Sequence, residues 1–198
     1  MHRRQDGRMA VIAILVLLLA SYAPLAVSAS GSGPRSTTVW SGTVTLQDGY
    51  TVESGEVLVV QSGTTIQLGD DERILVAGRL TVQGTSSNPV ILESIIGNHG
   101  GIVFNSSSSG LGSKIENLTI TDAEWGVTIY DSNPILNDLK IINADRVAVD
   151  LFDGASPRIN DLVIEGGGQD LHGISTSWRY GIGLSVGAYS APIVDGVT

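Results

Sequence analysis

Past residue 38 the chain alternates short β-branched and apolar runs with Gly, Ser, Asn and Asp, and it shows no helical periodicity. Three segments superimpose: S-N-P-I-L-N-D-L-K-I, A-S-P-R-I-N-D-L-V-I and S-A-P-I-V-D-G-V-T, with prolines at Pro134, Pro157 and Pro192. A degenerate earlier copy, G-S-K-I-E-N-L-T-I, puts Ser113 in the proline position, so the spacings are 21, 23 and 35 residues. A recurrence of about two dozen residues is the mark of a solenoid coil. Within each copy the second residue after the proline is apolar (Ile115, Leu136, Ile159, Val194), and so is the fifth (Leu118, Leu139, Leu162, Val197). Stacked coils align these into inward ladders.

A second strand recurs as Gly101 to Phe104, Gly126 to Tyr130, Ala148 to Phe152 and Gly181 to Ser185, and alternation predicts Ile102, Val127, Val149 and Ile182 inside. Between the ladders stand the polar pairs Glu116-Asn117, Asn137-Asp138, Asn160-Asp161 and Asp195-Gly196, residues suited to a tight turn with unusual backbone angles. Ala123, Ala144 and Gly167 recur three places after Ile120, Ile141 and Ile164, which predicts a cramped corner. Val39 to Glu93, with strands punctuated by glycine, reads as the opening coils.

The runs V-A-G-R-L-T-V-Q-G-T, N-P-V and G-G-I-V-F, followed by turns like N-S-P, resemble those of secreted right-handed β-helix repeat proteins of the pectin-lyase-like group. The resemblance covers about Val39 to Thr198 and implies an all-β, right-handed parallel β-helix. Its functional content is thin, because that fold hosts lyases, hydrolases, adhesins and inert stalks.

The N-terminus changes the picture of where the chain works. A basic start (Arg3, Arg4, Arg8), an apolar run from Met9 to Ala20 and small residues Val27 and Ala29 form the layout of a secretory signal peptide cleaved after Ala29. The alternative is an uncleaved anchor, since Met9 to Val27 is long enough to cross a bilayer core. The expected organisation is a leader over 1–29, a linker over 30–38 and the β-helix over 39–198, in a protein that is secreted or held at the cell surface. The final copy stops one residue before its next apolar position, so further coils or a cap beyond Thr198 are expected.

The leader holds three of the 11 basic and one of the 20 acidic residues, leaving a mature formal charge of −11. That surface repels phosphate backbones and anionic lipid heads, which argues against nucleic-acid partners and against membrane contact beyond the leader. With no cysteine, disulfides and thiolate metal sites are excluded. Only His99 and His172 follow the leader, too few for a zinc site without carboxylate help. Sequons stand at Asn105 and Asn117, and the pair Asp70-Asp71 reads as a solvated turn. The G-I-G-L-S-V-G run from Gly181 lacks dinucleotide-loop spacing.

The candidate site comes from register. Tyr130 and Asp131 align with Phe152 and Asp153 at an offset of 22 residues, which places them side by side on adjacent coils. The same alignment turns Thr128, Asp150 and Gly183 outward. Twelve extra residues in the last interval form a loop carrying Asp170, His172, Trp178 and Arg179 toward this strand. On a glycan-binding reading, sugar rings stack on the aromatics while carboxylates and the guanidinium take hydroxyls or a bridging calcium ion. On the alternative, a polysaccharide lyase or glycoside hydrolase, Asp150, Asp153 and Arg179 are the trio to test. A plainer reading has Tyr130 and Phe152 stacking on each other to cover the sheet. The leading expectation is a non-catalytic extracellular β-helix that binds a glycan or serves as a spacer.

Overall fold

The computed structural model describes residues 36–167 and 181–198, and they form a parallel β-solenoid of about six turns. The first coil carries β1 (Ser36–Trp40), β2 (Thr43–Leu46) and β3 (Tyr50–Val52). The second carries β4 (Glu56–Gln61), β5 (Thr65–Leu68) and β6 (Ile74–Val76), and the third β7 (Arg79–Gln83), β8 (Val90–Ser94) and β9 (Ile102–Phe104). Later coils have fewer, longer strands: β10 (Lys114–Thr121) and β11 (Trp125–Tyr130), β12 (Ile135–Ile142) and β13 (Val147–Phe152), β14 (Arg158–Glu165) and β15 (Ile182–Val186), then β16 (Ile193–Val197). Strands begin at Ser36, so Ser36, Thr37 and Thr38, expected as linker, pair with β4 instead.

All pairing between these strands is parallel, in one sheet of ten strands and one of six. The long strands arise by fusion. Lys114–Glu116 of β10 pairs with β7, whereas Leu118–Ile120 of the same strand pairs with β8, so two short strands of the third coil face one bent strand of the fourth. The bend is Asn117, at φ 46°, and its successors are Asp138 (51°), Asp161 (55°) and Gly196 (70°). This is the left-handed region, in which Gly, Asn and Asp are the residues tolerated with least steric penalty. The second member of each polar pair therefore does adopt an unusual backbone angle, but it does not end a strand as a tight turn would. One left-handed residue redirects the chain while hydrogen bonding resumes on both sides. The first member of each pair stays in the ladder, giving an outward polar column Gln61, Gln83, Glu116, Asn137, Asn160 and Asp195.

Inside, Ile115, Leu136 and Ile159 stack in one ladder and Leu118, Leu139 and Leu162 in another, all fully buried. Val194 and Val197 continue them on β16 and are exposed. Ile102, Val127 and Val149 are core residues as expected. The cramped corner is also present. Ala123 and Ala144 are buried, and a β-carbon on Gly167 would lie 2.5 Å from the Ala144 carbonyl oxygen.

The last copy departs from the expected register. Ile182 pairs with Val147, Leu184 with Val149 and Ser185 with Asp150, a shift of two residues from the sequence alignment. Ser185, not Gly183, is thus the neighbour of Asp150. A two-residue slip keeps each side chain on its own face of a strand, so the inward positions of this copy survive the correction.

Candidate functional site

The edge where β11 and β13 end is built by three successive coils. Tyr130 and Phe152 are in register, and their rings stack with centroids 4.9 Å apart and planes 12° from parallel. That separation matches the strand spacing, so the rings pair as a rung of the solenoid. The ring faces turned toward each other are closed to any ligand. Tyr130 is 39% exposed and Phe152 half-buried.

Immediately after the rings the chain turns, at Asp131 with φ 42° and Asp153 with φ 54°. Both side chains are exposed. Their identity is accounted for by backbone: a short polar side chain is what a left-handed corner accepts when glycine is absent. Asp153 is followed by Gly154 at φ 91°, whose N–H donates to the Ala188 carbonyl at 3.2 Å. The Asp131 carboxylate leans over this glycine, with Oδ1 3.8 Å from where a β-carbon would stand.

Thr128 and Asp150 have the outward parity expected of them, between the core residues Val127, Ile129, Val149 and Leu151. They are nonetheless buried, Asp150 to 1% exposure. Alternation in a strand gives the face and not the depth, so outward parity and burial coexist at both residues. Asp170, His172, Trp178 and Arg179 lie outside the described residues. Of the trio Asp150, Asp153 and Arg179, the described pair divides into one buried carboxylate and one exposed corner residue. Among the described residues, no three His, Asp or Glu side chains converge as a cation cage requires.

Other residues singled out in the sequence have structural partners. His99 is fully buried beside Ala123; its Nδ1 accepts the Gly101 N–H at 3.0 Å, which leaves Nε2 to donate to the Thr121 carbonyl at 3.0 Å. Burial, which disfavours the charged ring, pushes its pKa down to about 4 despite the opposing Thr121 bond and the Asp122 carboxylate. Asn105 caps a short 3-10 turn by accepting from the Ser107 N–H, and Asn117 donates to the Gly84 carbonyl. Asp70 and Asp71 are exposed in a turn, with Asp71 at φ 60°.

Sequence reasoning missed two features. Glu56, buried in the second coil, accepts hydrogen bonds from Thr38 Oγ1 and Tyr50 Oη at 2.7 Å each and from the Glu53 N–H at 3.1 Å. Burial raises its pKa, but the three donors overcome this and hold the carboxyl below its ordinary value. Tyr189 is the second. It stands where the preceding coil has Gly154, a substitution visible on aligning G-A-Y-S-A-P with D-G-A-S-P. Compared with protein-family models, with curated proteins and with solved structures, the chain matches none.

Proposed function

We propose that the chain is an exported, non-catalytic β-helix of the pectin-lyase-like kind, acting as a rigid extracellular spacer that holds a glycan on the edge carrying Tyr130 and Phe152. The observation that carries this reading is the backbone state of Asp131 and Asp153. A hydrolase needs a pair of carboxylates disposed about a scissile bond, and a lyase needs carboxylates with a cation and a base. Among the described residues, the two exposed acids of the edge are corner residues, and Asp150 is buried. The basic start and apolar run of residues 1–29 support export.

N-terminal sequencing of the exported protein should find a chain beginning at or near Ser30; a retained Met9 to Ala20 segment in membranes replaces secretion with anchoring. Replacing Tyr130 and Phe152 together by alanine should weaken glycan binding by more than about tenfold, roughly 1.4 kcal/mol. Unchanged affinity sinks the binding edge. Calcium-dependent release of unsaturated sugar from an acidic polysaccharide would restore the lyase.

A further inference from the structure

The two sequons are equals in the sequence, and the fold separates them. Asn105 follows β9 directly and opens the loop that leads to β10. Its Oδ1 accepts the Ser107 N–H at 3.0 Å, and among the described residues no partner takes its Nδ2 hydrogens. Ser106, Ser107 and Ser109 are exposed, and a β-carbon on Gly110 or Gly112 would meet nothing within 4 Å. Asn105 and the serine that completes its sequon thus share an open surface loop, the setting that an attached sugar requires. Asn117 is the opposite case. It bends β10 at φ 46°, its Nδ2 donates to the Gly84 carbonyl at 3.3 Å, and Leu118 beside it is fully buried. A β-carbon on Gly84 would stand 2.1 Å from the Asn117 carbonyl oxygen, so the two coils touch backbone to backbone here. A sugar on the Asn117 amide would press on the neighbouring coil, at a contact too close for one added carbon.

We propose that Asn105 is an N-glycosylation site of the exported chain and that Asn117, in the folded protein, is not. The step is a group transfer from a lipid-pyrophosphate-linked oligosaccharide. The Asn105 Nδ2 bonds to the anomeric carbon of the first sugar, whose C–O bond breaks with its electron pair leaving on the pyrophosphate, and one amide proton is released. Nothing is oxidised or reduced. Where transfer precedes folding, both asparagines are within reach and the selection falls on folding, because a chain with sugar on Asn117 cannot close its bend against Gly84. This rests on the export reading above and not on the glycan-binding one.

The test expresses the full chain, with its own leader, in cells whose secretory pathway attaches N-linked glycans. The secreted protein is mapped by mass spectrometry before and after a peptide-N-glycosidase, which turns a modified asparagine into aspartate. Asn105 should be modified and Asn117 bare. S107A, which keeps the backbone N–H that the Asn105 Oδ1 accepts, should abolish the glycan, and T119A, which breaks only the second sequon, should leave it in place. A secreted chain with a bare Asn105 overturns the proposal while the export reading stands. Sugar on Asn117 in the secreted protein, or a glycan that survives S107A, overturns it as well. A chain retained inside the cells with residues 1–29 attached removes the export reading and this proposal together.

Discussion

The Asn160 side-chain amide donates to the Asn137 carboxamide oxygen at 2.7 Å, tying two coils together one residue before each makes its left-handed bend. The corner is therefore held on one side by a polar rung and made on the other by a backbone state that few residues adopt. At Asp138, substitution by alanine keeps the β-carbon but loses the local hydrogen bonding that makes this region bearable, and should destabilise the fold by about 1 kcal/mol. Glycine at the same position should be close to neutral. Urea unfolding of the two variants checks the order, and an alanine variant as stable as the glycine one would show that the corner is not strained.

His99 makes folding pH-dependent. Its folded pKa of about 4 lies below the 6.5 of an unperturbed imidazole, so between those values the unfolded chain binds a proton that the native chain refuses. The stabilisation is complete above about pH 6.5 and is lost as pH falls toward 4, for a total of about 3 kcal/mol. Replacing His99 by asparagine keeps an acceptor for the Gly101 N–H and drops the Thr121 bond. That variant should be about 1 kcal/mol less stable at pH 7 and should lack this component of the acid loss. Chemical denaturation at pH 7 and pH 4.5 separates the two effects.

Glu56 works at lower pH. Its folded pKa is depressed, so its contribution is present above the unfolded pKa of about 4.5 and disappears as pH falls through the folded value. Substitution by glutamine leaves at least one of the three donors poorly matched and should cost about 1–3 kcal/mol at pH 7. Tyr50→Phe, which removes one donor while retaining the edge-on contact of ring 50 with Trp40, should cost about 1 kcal/mol. Thermal melts at pH 7 rank the pair; a more harmful Tyr50→Phe would mean that the hydroxyl, not the carboxylate, anchors the network.

Leu139 lies in the middle of an inward ladder, between Leu118 and Leu162, and all three are fully buried. Leu139→Ala should cost about 2–5 kcal/mol through the lost transfer energy and the cavity left between rigid neighbours. The exposed Val197, on the equivalent position of β16, should tolerate alanine at about 1 kcal/mol or less. Equal losses at the two sites would argue that the coils do not share one continuous core.

The inward ladders were legible because Leu139 and Leu162 repeat at the coil period, and the stack of Tyr130 on Phe152 because both follow the same strand at an offset of 22 residues. Register failed at G-I-G-L-S, where an apolar residue at every second place makes a slip of two residues invisible to any test of inside and outside. Depth failed at Asp150 for a related reason, since alternation is blind to what covers a face. Tyr189 escaped because turn chemistry is read through Gly, Asn and Asp, and a tyrosine in that backbone state breaks the rule that reveals the turn. Asn117 and its successors carry the residue types of an unusual backbone angle, but residue type alone does not tell a bend inside a strand from a break between two.

Among the described residues, eight of the nine non-glycine residues with positive φ are Asp or Asn, and six of those are aspartate. The two differ by a charge and hardly at all in shape, so acidity can be dialled at these corners without touching the path of the chain. Exchanging the six aspartates for asparagine would move the formal charge from −9 to −3 on an unchanged scaffold. Much of what makes the surface acidic is thus a by-product of architecture. Solubility, colloidal repulsion and attraction to ions become properties this solenoid can vary independently of its folding.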